Sequence, residues 1–272
     1  MAAAPGLDAP PEGSAAEVEL RLYAELQDFL PADRRGGPVR RPHRPHQTVK
    51  DLIEAVGVPH SEVELVVVEG EVVDFSHRPA AGDRIAVYPA FRRLDLGPLP
   101  RLHPPWPEQP RFAADVHLGR LARLLRLLGF DVRWANDLDD DELAAVAEAE
   151  GRVVLTADRG LLKRNQVVHG VFVRPGDAVE QAVEVLRRLD LGGRLAPFTR
   201  CLVCGGELDE VPKAAVLDRL EPLTRRHHDR FRRCGGCDRI YWPGSHHERL
   251  AATVAEVRAR LGGSPGGSGA GG

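Results

Sequence analysis

Residues 111–158 read RFAADVHLGRLARLLRLLGFDVRWANDLDDDELAAVAEAEGRVVLTAD, and this stretch decides the fold. Three short apolar runs, FAADV, DVRWA and RVVLTAD, are typical of strands, and two longer segments separate them. The first segment, HLGRLARLLRLLG, places leucines on one helical face and ends at Gly129. The second, DDELAAVAEAEG, predicts a helix that ends at Gly151. Strands that alternate with helices predict an α/β fold: a parallel sheet with helices on both faces.

The same alternation continues beyond residue 158. RGLLKRN predicts a short helix and VVHGVFV a strand, and DAVEQAVEVLRRLDLGG predicts a helix that begins with the capping box Asp177/Glu180. Residues 111–195 are therefore predicted to form one domain. A loop-rich, cysteine-containing domain is predicted over 196–249, and a Leu, Ala and Val stripe predicts a C-terminal helix over 250–261.

The part of the chain before this domain has a different pattern. VELRLYAEL alternates as a strand, TVKDLIEAVGV predicts a helix capped by Thr48, and ELVVVEG, EVVDF and DRIAVYPAF predict further strands. This order over residues 17–93 resembles the ubiquitin-like β-grasp of small sulfur-carrier proteins, an α+β fold. Active carriers end in a free Gly-Gly, whereas this chain continues through AFRRLDLGP, so carrier chemistry is not expected. A proline-rich linker is predicted over 94–110.

The composition excludes several classes of protein. Hydrophobic residues make up 43% and charged residues 28% of the 272, which is typical of a globular protein. The net charge of −3 argues against a globally basic nucleic-acid coat. There is no apolar run long enough to span a membrane and no secretory signal, so we expect a cytoplasmic protein without membrane contact. Residues 1–16 and 262–272 are predicted to be disordered.

Aspartates follow each predicted strand of the α/β domain. They are Asp115 after the first strand, Asp137, Asp139, Asp140 and Asp141 after the second, Asp158 after the third and Asp177 after the fourth. Because ligands bind beyond the carboxyl ends of parallel strands, we expect these carboxylates to form one patch. A cluster of carboxylates suits Mg²⁺ or Mn²⁺, and such an ion activates water for phosphodiester hydrolysis.

The alternative interpretation is that these aspartates are helix N-caps, since Asp is among the residues preferred at that position. It is favoured for Asp177, which lies in a capping box, and it stays open for Asp140 and Asp141. Asp115 and Asp158 favour the functional interpretation, because each ends an apolar strand. Thr156 is interpreted as a strand residue, with contact to a bound water or phosphate as the alternative.

Nearby basic residues are candidates for phosphate binding. Arg159, Lys163 and Arg164 follow Asp158 directly, whereas Arg120, Arg123 and Arg126 repeat at helical spacing. The helical set is also the pattern of a solvated face.

All four cysteines lie in two C-x-x-C pairs, Cys201/Cys204 and Cys234/Cys237. Two such pairs present four thiolates to one structural Zn²⁺. Neither pair opens a helix after a strand, which argues against a thioredoxin-like redox site. Between the pairs, RRHHDRFRR contains five arginines and is followed by Tyr241 and Trp242, a composition typical of single-stranded nucleic-acid binding. Packing inside the small domain is the favoured role of the rings.

Three stretches together resemble the Mut-seven C-terminal (Mut7-C) RNase family: RFAADVHLGRLARLLRLLGFDV, NDLDDDELAAVAEAEGRVVLTADRGLLKR and TRCLVC…CGGCDRIYWPGSH. The resemblance implies a PIN-like nuclease fold joined to a zinc ribbon, in some bacterial members with an N-terminal ubiquitin-like domain. It implies a metal-dependent RNase whose acids correspond to Asp115, Asp140, Asp158 and, more loosely, Asp137. The family pattern has a basic residue where this chain has Ala157, so Arg159 is expected to serve instead.

The sequence therefore predicts a metal-dependent ribonuclease that hydrolyses RNA phosphodiester bonds. Asp115, Asp140 and Asp158 would hold Mg²⁺ or Mn²⁺, and Arg159, Lys163 and Arg120 would bind the substrate. One alternative is a non-catalytic RNA-binding or ribosome-associated adaptor that uses the ribbon and the β-grasp domain, and the latter is a candidate for docking a protein partner. A phosphatase or a DNA nuclease with the same acidic edge is the other alternative.

Overall fold

The computed structural model describes residues 17–90 and 101–263. They fall into two compact units, the first made of 17–90 with 101–102 and the second of 103–263. Residues 1–16, 264–272, the end of the predicted β-grasp domain at 91–93 and linker residues 94–100 lie outside the described residues. Disorder was predicted to begin at residue 262, but Gly262 is the last residue of the C-terminal helix. No helix in the described part of the chain has the length and apolar character needed to cross a bilayer.

The first unit is a five-stranded mixed sheet with one α-helix. Its elements are β1 (Glu17–Leu22), β2 (Val39–Pro42), α1 (Val49–Ala55), β3 (Val63–Val68), β4 (Glu71–Val73) and β5 (Arg84–Pro89). The strand order is β2-β1-β5-β3-β4, with β1 and β5 parallel and the other pairs antiparallel. This is the β-grasp arrangement, so the prediction of an α+β fold for this region is confirmed.

Strand β1 of this unit differs from its sequence prediction, whereas the start of helix α1 agrees with it. VELRLYAEL was predicted to be one strand, and this prediction is wrong. Strand β1 ends at Leu22, because Ala24 has a φ of 47° and begins a 3-10 helix, Ala24–Phe29. Strand β2 was not predicted. The helix α1 does begin at Thr48, whose side chain accepts the Asp51 amide while the Asp51 carboxylate accepts the Thr48 amide. This reciprocal capping lowers the pKa of Asp51, through the backbone bond first and then the hydroxyl bond.

The second unit contains the predicted four-stranded parallel sheet. Its strands are β6 (Phe112–Ala114), β7 (Val132–Arg133), β8 (Val153–Thr156) and β9 (Gly170–Phe172), in the order β7-β6-β8-β9. Its helices are α2 (Gly119–Leu127), α3 (Asp140–Glu150), α4 (Arg159–Leu162) and α5 (Ala178–Arg188). All three strand pairs are parallel. The predicted strand DVRWA is shorter than expected, because pairing with β6 ends at Arg133.

Apolar cores cover both faces of this sheet. One core joins Phe112, Ala114 and Leu155 to the leucines of α2 and the buried side of α5. The other joins Ala113 and Val154 to Leu143 of α3 and to α4. Alternate residues of β6 and β8 thus point to opposite faces, as in a sheet that is buried on both sides. The predicted α/β class with helices on both faces is confirmed.

The remaining elements complete the second unit. They are β10 (Leu208–Val211), α6 (Pro222–His227), β11 (Phe231–Cys234), β12 (Ile240–Tyr241) and α7 (Ser245–Gly262). The three strands form an antiparallel sheet, and the buried Val254 and Val257 of α7 belong to the core that α2 and α5 share. Residues 103–110 of the predicted linker also belong to this unit, and Trp106 stacks on His169 with ring centroids 4.2 Å apart.

Candidate functional site

The carboxylate of Asp115 is placed at the carboxyl end of β6. Its residue is only 6% exposed, so the charged group is almost removed from water. One oxygen, Oδ1, accepts the His117 amide at 3.0 Å, and the other, Oδ2, accepts the Thr156 hydroxyl at 2.6 Å. Within the described residues these are its hydrogen bonds, and no basic side chain pairs with it. A buried carboxylate of this kind favours a cation or further donors nearby.

Asp158 lies at the end of the neighbouring strand, β8. Its Oδ1 accepts the Gly160 amide at 2.6 Å, and its own amide donates to Thr156 Oγ1 at 2.9 Å. The hydroxyl of the fully buried Thr156 therefore joins the two acidic positions: it donates to Asp115 and accepts from Asp158. The parallel pairing of Ala114 with Leu155 brings these two strand ends side by side.

The acids that follow β7 have different environments. Asp139 is the N-cap of α3 and accepts the Glu142 amide at 2.8 Å. Asp140 is the first helical residue, Asp137 lies in the preceding turn, and both are exposed. Asp141 forms an ion pair with Arg164. Asp177 accepts the amides of Val179 and Glu180 in a complete capping box, as its sequence interpretation predicts.

Thr156 thus links the Asp115 carboxylate to the backbone amide of Asp158, and among the described residues no third carboxylate converges on this pair. Asp115 and Asp158 are each also the N-cap of the helix that follows, as the cap interpretation predicts. A metal site needs at least three Asp, Glu, His or Cys side chains whose ligand atoms converge. Across residues 17–90 and 101–263, the four cysteines form one such group, and the aspartates form none. Asp140 and Asp137 are placed by the fold near the same sheet edge, at the turn and helix that follow β7.

The four cysteine sulfurs lie within 4.8 Å of one another. Cys201 and Cys237 have their sulfurs 3.6 Å apart, and Cys204 and Cys234 have theirs 3.3 Å apart. Zn–S bonds of about 2.3 Å in a tetrahedron separate sulfurs by about 3.8 Å, so the donor set fits Zn²⁺ in number, chemistry and spacing. Cys201 and Cys234 are buried, whereas Cys204 and Cys237 are exposed. Four protein thiols would leave no coordination position open, which is typical of structural zinc sites.

Backbone amides surround these sulfurs. Cys234 Sγ accepts the amides of Gly236 and Cys237 at 3.3 and 3.4 Å, and Cys204 Sγ accepts the Gly206 amide at 3.4 Å. At Cys201, burial raises the pKa of the thiol, but bonds from the Tyr241 hydroxyl and from nearby amides outweigh this and lower it to about 6. At Cys204, burial dominates and raises the pKa.

Comparisons with known proteins identify the two parts of the chain. The family model of the Mut7-C RNase domain matches residues 110–254, which contain the sheet, the acids and all four cysteines. The chain belongs to the Mut7-C RNase family. A second model, the Mut7-C ubiquitin domain, matches residues 15–95, the region of the β-grasp unit.

No curated protein matches the chain. Among solved structures, the small archaeal modifier protein 1 of H. volcanii matches with 23% identity and a TM-score of 0.24, over 28% of this chain and 99% of that one.

The basic residues predicted to bind substrate in this Mut7-C domain all lie near the acidic edge in sequence. Arg159 is the first residue of α4, directly after Asp158, and its guanidinium lies 5.4 Å from the centroid of the Phe172 ring. Lys163 is the C-cap of α4 and is partly buried. Arg120 is exposed on the first turn of α2. Phosphate binding by these three side chains stays a prediction.

Arg126 corrects the prediction for the arginine stripe of α2. It was interpreted with Arg120 and Arg123 as a phosphate-binding or solvated set, but it is 1% exposed and its guanidinium contacts backbone carbonyls. Burial lowers the pKa of Arg126, while the thiols of Cys204 and Cys201 raise it. The sequence did carry an indication: Arg126 lies between two pairs of leucines, where a solvated side chain is out of place.

Proposed function

We propose that this chain is a metal-dependent ribonuclease whose catalytic site is the acidic edge around Asp115 and Asp158. The family match supports a nuclease-type domain, and the observation that carries the finer proposal is the Asp115–Thr156–Asp158 arrangement. A carboxylate that is 6% exposed and has no basic partner among the described residues is costly in an ordinary protein surface. At a catalytic site it serves as a ligand.

The residues at this edge suit a hard cation. Asp115 and Asp158 offer carboxylate oxygens, the ligand type that Mg²⁺ and Mn²⁺ prefer, and each carboxylate keeps acceptor capacity beyond its observed bonds. Asp140 and Asp137 are proposed as further acids of the site, since both are exposed after the adjacent strand β7. A bound Mg²⁺ or Mn²⁺ would supply an activated water and neutralise charge on the phosphodiester.

The chain's own residues would orient the reaction. Thr156 holds the Asp115 carboxylate in one rotation, because its hydroxyl is itself fixed by the Asp158 amide. Arg159, Lys163 and Arg120 would bind phosphates of the RNA on either side of the acids, since basic side chains supply most contacts to nucleic-acid backbones. The four cysteines would hold a structural Zn²⁺, and the ubiquitin-like unit supports a protein partner.

The test is a cleavage assay of the full chain on a panel of RNAs, DNAs and small phosphoesters, with and without Mg²⁺ or Mn²⁺. Asp158→Asn should reduce RNA cleavage by at least ~10²-fold, the scale of removing one charge-stabilising group. Asp177→Asn is the matched control, because Asp177 is also an N-cap after a strand of the same sheet. It should cleave like the wild type.

Equal cleavage by the wild type and Asp158→Asn would contradict the proposal. Cleavage of DNA or phosphoesters in preference to RNA would change the substrate class but keep the acidic site. Activity that persists after Mg²⁺ and Mn²⁺ are removed would contradict the metal dependence.

The second candidate function is a non-catalytic RNA-binding adaptor. It is favoured by the ribbon surface, where Arg226 and Arg230 are exposed and, among the described residues, form no ion pair. Trp242 is 41% exposed, and its ring centroid lies 6.5 Å from that of Phe231, the residue after Arg230. Basic and aromatic side chains together bind single-stranded RNA. RNA binding without cleavage, lost in Arg226→Glu and Arg230→Glu, would support this function over the nuclease.

A further inference from the structure

Arg126 connects the parallel sheet to the turn that carries the first C-x-x-C pair. We call this turn, residues 201–205, the cysteine knuckle. Its Nη1 donates to the Val203 carbonyl at 2.7 Å and more weakly to the Leu202 carbonyl at 3.5 Å. Its Nη2 and Nε donate to the Val132 carbonyl at 2.8 and 3.1 Å. In the described part of the chain no carboxylate forms an ion pair with this buried guanidinium. Its charge is compensated by carbonyl dipoles, by the nearby thiols and, at longer range, by Asp131.

Gly205 makes this approach possible. Its φ of 81° belongs to the left-handed region, and a Cβ there would lie 3.2 Å from Arg126 Nε and 3.1 Å from the Val132 carbonyl oxygen. The knuckle therefore packs directly on the guanidinium and on the end of β7. Four thiolates around one divalent cation keep a net negative charge, which a buried guanidinium compensates.

A second set of contacts continues from Arg126 to the Asp115 turn. Nη2 of Arg126 also donates to the Trp134 carbonyl at 3.3 Å, and the Trp134 indole donates to the Val116 carbonyl at 3.2 Å. The Trp134 ring packs on Gly119 so closely that a Cβ at that position would lie 2.5 Å from a ring carbon. Val116 is the residue after Asp115, and the next amide, His117, donates to the Asp115 carboxylate.

We infer that Arg126 and Trp134 are positioning residues that couple the cysteine knuckle to the acidic edge. The contacts run without a gap from the Val203 carbonyl through Arg126 and Trp134 to the turn that holds Asp115. The ribbon thus acts on the nuclease site as well as folding beside it: a knuckle closed around its metal fixes the Asp115 carboxylate, and an opened knuckle releases it. The consequence for RNA cleavage rests on the proposed function, whereas the structural coupling does not.

The experiment measures amide hydrogen exchange in the full chain, with zinc bound and after chelation. The amides of His117 and Leu118 report on the Asp115 turn, since they donate to the Asp115 carboxylate and carbonyl. The Gly205 amide, which donates to the Cys201 carbonyl, reports on the knuckle. Chelation should accelerate exchange at both places, at the turn by roughly 2- to 30-fold, the usual scale of coupling between sites.

Trp134→Phe keeps an aromatic ring but removes the indole donor to Val116. With zinc bound it should accelerate exchange at His117 and Leu118 and leave Gly205 unchanged, and chelation should then have no further effect at the turn. Trp242→Phe, the same change on an exposed ring of the ribbon, is the matched control. Amide exchange at His117, Leu118 and Gly205 should be the same as in the wild type. Arg126→Met should accelerate exchange at both places, whereas Arg123→Met, on an exposed position of the same helix, should not.

An unchanged turn after chelation of the wild type, or a turn in Trp134→Phe that still responds to chelation, would overturn the coupling. If Arg126→Met fails to fold, Trp134→Phe alone decides. In a protein that cleaves RNA, Trp134→Phe should lower kcat with KM unchanged. If the wild type does not cleave RNA, the proposed function fails while the exchange data still decide the coupling.

Discussion

The cysteine centre and the acidic edge lie in the same unit, yet the fold assembles them to different degrees. Four sulfurs converge to within 4.8 Å, and backbone amides are arranged around them. At the acidic edge, only Asp115 and Asp158 are joined, through the Thr156 hydroxyl, while Asp137 and Asp140 stay exposed. The fold therefore brings all four thiols of the two C-x-x-C pairs together, whereas it brings the acids that follow different strands only to the same edge of the sheet.

Charge gives a physical reason for this difference. An ordinary thiol is mostly neutral near pH 7, and burial raises the pKa of Cys204 and Cys237, so these sulfurs pack without strong repulsion. Cys201 is the exception, because the bonds that it accepts from the Tyr241 hydroxyl and nearby amides stabilise its thiolate. Carboxylates are ionised at that pH and repel one another, and the repulsion grows where water is excluded, as at Asp115. At this edge Asp115 and Asp158 each accept one backbone amide, and a bound cation would offset the repulsion between the acids.

The largest effect is expected from breaking the cysteine centre. Cys234→Ser should release the metal and unfold β10 to β12, since zinc binding to such sites contributes about 10–16 kcal/mol to folding in small domains. The ribbon's own apolar core consists of few side chains, with Val216, Leu220 and Phe231 at its centre, and is too small to replace that energy. Metal content and amide exchange of residues 200–241 measure both effects.

Acid titration provides the control for this prediction. Protons compete with the metal for the thiolates, so the amount of bound metal should fall as the pH falls. Cys201, whose pKa is lowered to about 6, should be protonated after Cys204 and Cys237, whose pKa values are raised. Return to neutral pH with added zinc should restore the ribbon. A Cys234→Ser protein that keeps its metal and its exchange protection would contradict a four-thiolate centre.

A smaller effect is expected at the acidic edge from Thr156→Val, which keeps the shape of the side chain but removes the hydroxyl. It leaves the buried Asp115 oxygen and the Asp158 amide without their partner, so the free energy of unfolding should fall by about 1–3 kcal/mol. RNA cleavage should fall as well, because Asp115 is no longer held. Denaturant unfolding and the cleavage assay measure the two changes.

Thr156→Ser is the matched control, since it keeps the hydroxyl and removes only a methyl group. It should retain cleavage and lose about 1 kcal/mol through the small cavity. If the Val and Ser variants cleave equally well, the hydroxyl does not organise the acidic edge. The acidic edge would then be even less assembled, relative to the cysteine centre, than we infer.

The smallest effect is expected at an aspartate that serves only its helix. Asp177→Ala removes a capping box and should lower the free energy of unfolding by about 1 kcal/mol without changing cleavage or metal affinity. Thermal unfolding and metal titration test this. A loss of cleavage would show that the acidic edge extends to the fourth strand, and would weaken the distinction between caps and ligands.

Sequence patterns predicted the parts of this molecule that are decided within a few residues. The capping boxes at Thr48 and Asp177, the helix end at Gly151 and the paired cysteines all follow from contacts between near neighbours in the chain. The alternation of strands and helices likewise predicted the parallel sheet, since connections between parallel strands have one favoured hand.

Sequence patterns did not predict the interruption of the first strand or the burial of Arg126. The strand VELRLYAEL is interrupted at Ala24 although its alternation continues, because the backbone turns there to fit the sheet around it. The same helical spacing made Arg120, Arg123 and Arg126 equivalent in sequence, yet the ribbon that packs on the end of α2 buries only the third of them. Spacing along one helix cannot indicate which side a distant segment will cover.

The sequence by itself determined the alternation of strands and helices in the parallel sheet, the capping boxes at Thr48 and Asp177, the class of each unit and the two C-x-x-C pairs. These features depend on periodicity and on residues close along the chain. Only the tertiary structure decided that Asp115 shares a hydroxyl with Asp158 and that Arg126 is buried against the cysteine knuckle. Those contacts join residues about 40 and 77 positions apart, and packing between whole elements sets such distances.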